Sequence, residues 1–433
     1  MVKYKLFLIH IFVCMVTVFN AQDINLLHLQ GSMPGTFLNP GLSLDKTFNA
    51  SLGGFQLLLG TDGPPINSLT SKNTSDERYI DVKKINDKLS DYHNIFFTND
   101  IHTLDLGMKI GGIVVMGGHS FRSSANVRYP KGLLEVAAQG NAAFIGQQIQ
   151  IGPALDVLAY NEIYLGIQKT LGNFTVGFKG KLLYGTASIS TESNDVRFST
   201  NSEFYQLELK NDYLIRSSAL LRYNSLDSIT IDYSGFTFDN LFYNNRGLAF
   251  DIGASFKLDD KFTLSASALD IGSISWDFFP RKYISKGTFT FEGLDIVKYL
   301  GDTTTISIAD TLLNKIDVTS ELEEYSTLLN STFTLGGTYH MNHRWTFNAL
   351  YLLRNDFGFK RHSLSASTMM KFPVFDLGVQ FSISKNNYSS VGVFGRLKLG
   401  PVSGYLSTEN IIGIVRPFDS RNAAIRLGIT VQL

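Results

Sequence analysis

From residue 157 to its end the chain repeats one pattern: short stretches in which apolar and polar residues alternate strictly. In "FDLGVQFSIS", Phe375, Leu377, Val379, Phe381 and Ile383 stand on one parity, and Asp376, Gly378, Gln380, Ser382 and Ser384 on the other. "GLAFDIGASFKL" sets Leu248, Phe250, Ile252, Ala254, Phe256 and Leu258 opposite Asp251, Ser255 and Lys257. "FTVGFKGKLLYG" and "WTFNALYLL" repeat the pattern, and "LDLGMKI" does so further upstream. The chain ends inside such a run, "AAIRLGITVQL". Successive side chains of a strand point to opposite faces, so each run reads as a strand with one apolar and one polar face.

The connections constrain the fold further. The expected tight links are Gly400-Pro401, Lys371 to Pro373, Asn342 to Arg344, Asp259 to Lys261, Lys210 to Asp212 and Leu171 to Asn173. Longer, more polar stretches separate them at 410–421, 385–390, 355–361, 277–330, 224–246 and 189–203. Short turns at one end and long loops at the other is the layout of a transmembrane β-barrel. About 13 strands are expected after residue 157, with at least one before it, and an even total because both termini lie on one side. The expectation is a closed antiparallel transmembrane β-barrel of about 14 strands, with 12 or 16 as neighbours. Closure answers why the chain can stop on a strand. In lipid an unpaired backbone group costs several kcal/mol, so the last strand must pair with the first.

Composition agrees with an all-β membrane protein. Charged residues make up 18%, below the usual quarter, and Lys+Arg equals Asp+Glu at 38 each. A balanced charge gives no argument for nucleic acid. Phe (33), Tyr (19) and Gly (38) are abundant and Pro (10) is scarce, which suits strands. The start, "MVKYKLFLIHIFVCMVTVFNAQ", has Lys3 and Lys5 before an apolar stretch from Leu6 to Phe19. That stretch is shorter than the ~20 residues of a membrane helix, so it reads as a signal peptide cleaved near Ala21/Gln22. The one cysteine, Cys14, falls within it and follows Val13, where lipidation needs a small residue. The mature chain then has no disulfide, thiol nucleophile or thiolate metal site.

Three regions are expected: 1–21 as signal peptide, 22–100 as an N-terminal plug, first strand and short helix, and 101–433 as the barrel. "DINLLHLQGSMPGTFLNPGLSLDKT" carries no period and contains Pro34 and Pro40. "YIDVKKINDKL" fits a short helix with Val82, Ile85 and Leu89 on one face. "PKGLLEVAAQGN" fits another, started by Pro130 and stopped by Gly140. These pieces are expected to plug the lumen or cap its mouth. The polar parity supplies lumen-facing candidates of both signs: Lys179, Lys181, Asp251, Lys257, Asp376, Arg396 and Arg426, with Lys398 and Arg426 near the rim as the alternative placement. A selective pore shows rings of one sign, so mixed charge points to a lumen filled by packed, ion-paired segments.

Several runs, taken in order, resemble a known family. "SASALDIGSISW" (265–276) is similar to its S-x-x-D-x-G-x-I-x-W signature, carried here by Asp270, Gly272 and Trp276. "MPGTFLNPGLS" (33–43), "QGNAAFIGQQIQI" (139–151), "YLGIQKTLGNFTVGFKGKLLYGTASIST" (164–191) and "GPVSGYLSTENIIG" (400–413) match the same family in the same order. It is a Bacteroidetes-type outer-membrane family recorded as a domain of unknown function. The short "LNPG", with Asn39 and Pro40, also resembles the NPAG element of FadL-type and PorV-type barrels, Gly41 standing where Ala is usual. The resemblance implies a barrel in the outer membrane of a Gram-negative bacterium; it implies no reaction, cofactor or established ligand.

Enzymatic signals are weak. His340 and His343 form H-x-x-H, but on a strand such a pair points to opposite faces, unlike a helical zinc motif. "GGIVVMGGHSF" (111–121) lacks the Lys-Ser/Thr of a phosphate loop and the spacing of a nucleophile elbow. His102, His119 and His362 fall near different strand ends. The loop carboxylates Asp227, Asp232 and Asp239, and "ELEEYS" (321–326), lack EF-hand spacing. No cofactor is expected. The leading expectation is a non-catalytic barrel serving either secretion or surface assembly, or passage of a hydrophobic solute. Its partners would be outer-membrane lipid, together with other outer-membrane or secretion proteins or a hydrophobic small molecule. The aromatic loops "DFFPRKYI" (277–284) and "FTFDNLFYNN" (236–245) tilt the balance slightly toward a protein partner. The alternatives are an outer-membrane enzyme acting on lipid or protein, and a secreted soluble β-sandwich.

Overall fold

The structure is a computed structural model that describes residues 23–433 apart from 75, 77, 204–205, 220, 226–227, 232–236, 292–317 and 385–387. The expected signal peptide and the carboxylates Asp227 and Asp232 lie outside the described residues.

Fourteen strands close into an antiparallel barrel. In chain order they are β1 (Phe48–Thr61), β2 (Tyr92–Ile110), β3 (Ile113–Pro130), β4 (Ala154–Leu171), β5 (Phe174–Thr200), β6 (Arg246–Lys257) and β7 (Phe262–Trp276). The second half is β8 (Ser331–His340), β9 (Trp345–Asp356), β10 (Phe359–Lys371), β11 (Phe375–Ser384), β12 (Tyr388–Leu399), β13 (Val402–Thr408) and β14 (Asn422–Gln432). Each pairs with its sequence neighbour. The ring closes where β14 pairs with β1, from Asn49↔Gln432 to Gly60↔Asn422. Phe48 and Leu433 exchange both backbone hydrogen bonds at 2.9 Å, so the last residue is held by the first strand.

The side-chain pattern is inverted relative to a water-soluble protein. Along β11, Leu377, Val379, Phe381 and Ile383 are exposed, while Gly378, Gln380 and Ser382 are buried. Leu165, Leu248, Leu335 and Leu364 stand outward at 73%, 67%, 61% and 59% exposure. A wall that exposes its apolar face and buries its polar face is stable only in lipid. The soluble sandwich is thereby excluded.

Three expectations about the connections need correction. Lys210 to Asp212 is not a turn; it lies within the continuous strand Leu207–Ala219. Residues 189–200 are not loop, because β5 runs on for 27 residues and pairs there with Leu207–Ala219. Strand Arg281–Phe291 adds to that strand, and Thr319–Leu322 adds to Arg281–Ile284, making a ribbon beyond the barrel. The stretch 355–361 is not long either: Phe357 and Gly358, at φ 49° and 82°, make a two-residue link between β9 and β10. Alternation reads the same in a ribbon as in a wall. Three wall strands thus precede residue 131 and eleven follow residue 153, a different split from the one expected.

Bulges switch the inward parity at several places, three of them beside the lumen contents. Gly53 does so in β1, Thr103 in β2 and Asp270 in β7. The last matters most. Asp270 adopts φ 60°, a left-handed conformation that short polar side chains tolerate, and it turns into the lumen.

Both expected helices form, as Val82–Lys88 and Lys131–Gln139. Asp81 caps the first by accepting from the amides of Lys83 and Lys84, and Ile85 and Leu89 are its buried side. Gly140 stops the second at φ 74°. They pack against each other at the loop end, and neither enters the lumen.

Candidate functional site

Residues 23–45 fill the lumen at the turn end. Ile24 and Leu29 are fully buried, Leu26, Leu27 and Leu38 are 2% exposed, and the short helix Gly35–Leu38 sits among them. Their apolar side meets Leu350, Met369, Phe394 and Tyr405 of the wall. Met33 and Leu44 of the plug make a second apolar contact with Val114, Met116 and Tyr164, and Leu158, Leu183, Ile274 and Trp276 form a further apolar cluster.

The opposite side of the plug is held by polar side chains. Asn39 donates through Nδ2 to the carbonyls of Ala254 and Ala266, each at 3.0 Å. Its Oδ1 accepts from the amide of Gly41 at 2.7 Å. Gln168 donates to the carbonyls of Pro40 and Leu42, Ser255 to that of Gly41, and Ser267 to that of Leu38. A Cβ at Gly177 would lie 1.9 Å from the Pro40 carbonyl oxygen, so the wall must have glycine there. Among the described residues the plug pairs with no wall strand; its one bridge, Gly31↔Leu44, is internal. It is attached to the wall by side chains, most densely at "LNPG".

Beyond the plug lies a cluster of buried charges. Lys181 Nζ is 2.5 Å from Asp270, 2.8 Å from Asp251 and 3.4 Å from Glu162. Arg122 reaches Asp270 at 2.7 Å, Asp100 at 3.2 Å and Glu162 at 3.5 Å. Asp251 also accepts the backbone N–H of Asp270 at 2.7 Å, which fixes the bulge. Lys179 links cluster to plug: its Nζ donates to the Thr36 carbonyl at 2.9 Å and lies 4.6 Å from the Tyr164 ring and 5.3 Å from that of Phe37. The plug's Phe37 stacks on His102 at 3.9 Å. The space enclosed by Phe37, Asp100, Arg122, Lys181, Asp270 and Arg354 is about 50 Å³. That holds a few waters, against the ~300 Å³ or more of an ordinary ligand pocket.

The sequence-derived candidates divide. Lys179, Lys181 and Asp251 join this cluster. Asp376, fully buried, pairs instead with Arg396 and, at 2.8 Å, with Lys398 near the turn end. Lys398 also donates to Phe372, in the turn before β11, so it does sit at the rim. Arg426 lines the central cluster and donates to Gln56. Lys257 is exposed at the end of β6 and joins neither set. Asp100, Arg122, Glu162 and Arg354 were missed, although each is an ionisable residue on the polar parity of its strand. Asp270 had been singled out only as part of a signature.

The rest of that signature has a packing role. A Cβ on Gly272 would meet the Leu248 carbonyl oxygen at 2.1 Å. Trp276 is fully buried, donates through Nε1 to Thr327 at 2.8 Å and stacks on Tyr325. The bulge, a close strand approach and an indole plug therefore follow in order along β7.

The histidines are dispersed. His119 contacts Thr103, His340 contacts Thr346 and His362 contacts Tyr351. Among the described residues no three His, Cys, Asp or Glu side chains are placed to hold a metal.

A family described as "Family of unknown function (DUF5723)" matches residues 40–409. No curated protein matches the chain. Among solved structures, the Pseudomonas putida toluene transporter TodX is 9% identical over 96% of this chain and 94% of its own, with a TM-score of 0.41. A TodX deltaS2S3 mutant, described as a monoaromatic hydrocarbon channel, is 9% identical over 92% and 93%, with a TM-score of 0.45. A Pseudomonas aeruginosa FadL homologue is 11% identical over 92% and 94%, with a TM-score of 0.34.

Proposed function

The chain belongs to the DUF5723 family, and we propose that it is a non-catalytic, gated conduit of the Gram-negative outer membrane for a small hydrophobic solute, closed in this conformation. The turn end faces the periplasm and the loop end the exterior, with residues 1–21 removed as a signal peptide. The observation that carries the reading is the attachment of residues 23–45. They are held by side-chain hydrogen bonds and an apolar seam, and they pair with no wall strand among the described residues. Closure leaves the wall no free edge, so whatever fills the lumen is attached through side chains and packing. A plug held by side chains can shift without breaking the sheet. The seam against Leu350, Met369 and Phe394 offers an apolar solute a surface that the charged side does not.

The test is a reversible lock. Gln30→Cys with Thr338→Cys, at positions whose side chains meet at 2.7 Å, puts one thiol on the plug and one on the wall in a mature chain with no other thiol. Uptake of an aromatic hydrocarbon into liposomes carrying the barrel should fall on oxidation and recover on reduction. Uptake unchanged by the lock removes the conduit reading.

A second reading, a surface partner in secretion or assembly, draws on Phe279. It is 56% exposed at φ 49° beside Phe278 in a loop-end connection. A stoichiometric protein co-purifying with the barrel, and lost in Phe279→Ser, would favour it.

A further inference from the structure

The wall is decorated from outside at one place. The short helix Phe238–Phe242, carried by the connection between β5 and β6, lies against the outer face of the barrel. Asn161, on the outward parity of β4, is only 5% exposed because it sits beneath this helix and donates to the Leu241 carbonyl at 3.1 Å. Phe242 packs on His119 and Tyr184, with ring centroids 5.6 and 6.2 Å apart. Between helix and wall runs an open groove of about 880 Å³. Its floor is Ile163, Leu182 and Leu248, and Arg246 stands at its upper edge.

Height in the bilayer follows from β6. Its outward residues below Arg246 are Leu248, Phe250, Ile252, Ala254 and Phe256, an unbroken apolar column ending beside exposed Lys257. The eleven steps from Arg246 to Lys257, at ~3.3 Å each and tilted by ~40°, rise roughly 28 Å, close to the ~25 Å apolar band of such barrels. Arg246 and Lys257 therefore stand at the two polar boundaries. Arg246 is exposed and donates through Nε to the Tyr243 carbonyl at 2.9 Å, which aims the guanidinium. Its two terminal nitrogens make no hydrogen bond among the described residues.

We propose that this groove holds one anionic lipid of the surrounding leaflet, with an acyl chain on Ile163, Leu182 and Leu248 and its phosphate on Arg246. A fixed guanidinium presents paired donors that match a phosphate, and the apolar floor lies where the chain of a lipid at that boundary must run. The charge matches a phosphate head and the floor matches its tail; a neutral lipid uses only the floor. The inference rests on the barrel's depth in the bilayer, not on its use as a conduit.

The experiment uses the full-length barrel in nanodiscs of phosphatidylcholine doped with phosphatidylglycerol, released into native mass spectrometry. The expected result is one retained phosphatidylglycerol per barrel, out of proportion to its share of the bilayer. Arg246→Gln should lower that preference about tenfold, the loss of one charge-assisted contact, while Arg246→Lys keeps part of it. Inorganic phosphate should not compete, since it lacks the chain. Heat-modifiable gel migration confirms that each variant is a folded barrel. Retention in proportion to the lipid mixture, a preference unchanged in Arg246→Gln, or a protein occupying the groove instead would each overturn the proposal.

Discussion

Arg122 on β3 and Asp270 on β7 meet at 2.7 Å inside the barrel, joining strands whose residues lie 148 apart in sequence. Asp270 is buried and Arg122 is partly buried, and Asp270 receives Lys181 at the same oxygen. Removing one member of such a set leaves largely buried charges without their counterpart.

Asp270→Asn keeps a residue that tolerates the left-handed backbone and removes only the charge. It should destabilise the barrel by about 3–5 kcal/mol, read as a lower midpoint in urea unfolding. A midpoint within error of the parent would mean that Asp270 carries no net interaction.

Gly177→Ala should displace the plug anchor without harming the wall. The new Cβ meets the Pro40 carbonyl oxygen, whereas at Gly404 nothing lies within 4 Å. Hydrogen exchange across residues 36–45 should rise in Gly177→Ala and stay unchanged in Gly404→Ala. Equal exchange in both would contradict the placement of "LNPG".

Asn39→Ala removes two donors to wall carbonyls and the acceptor for the Gly41 amide. Plug opening should become easier by about 1–3 kcal/mol, with the barrel's own unfolding midpoint nearly constant. Protease cutting within 23–45 measures the first and urea unfolding the second. A shift in the midpoint alone would make Asn39 a wall residue in energetic terms.

Asp62 at the loop end gives a pH dependence. Burial pushes its carboxyl up, but hydrogen bonds from His93 and from the Asn94 amide and side chain outweigh that and hold it below its ordinary range. A depressed acid contributes stability that is present above the unfolded value near ~4 and lost as pH falls through the folded one. Exchange of the first amides of β2 should therefore quicken in acid, and Asp62→Asn should be loose already at neutral pH. Acid loosening of equal size in the variant would assign it to another group.

Much of the wall was legible because a barrel strand must alternate over its full crossing. Turns at 172–173, 258–261, 341–344, 372–374 and 400–401 follow from polar, Gly or Pro positions. The ribbon strand Leu207–Ala219 was misread because alternation does not say whether a strand stands in lipid or above it. The bulges left a trace: apolar parity slips from Ala266 and Ala268 to Ile271 across Asp270, and from Leu52 to Phe55 across two glycines. A parity slip at a polar or glycine residue marks where a strand turns a new side chain inward. The plug's contacts left none, since Asn39, Gln168 and Ser267 meet only once the chain has closed on itself.

Ion conductance through the intact protein in a planar bilayer is the most direct measurement. A barrel whose lumen is filled by residues 23–45 and paired charges should insert silently, and Gly177→Ala or Asn39→Ala should bring current steps. Steady ohmic steps from the unaltered protein would mean that the lumen is open and the plug is not where it has been placed.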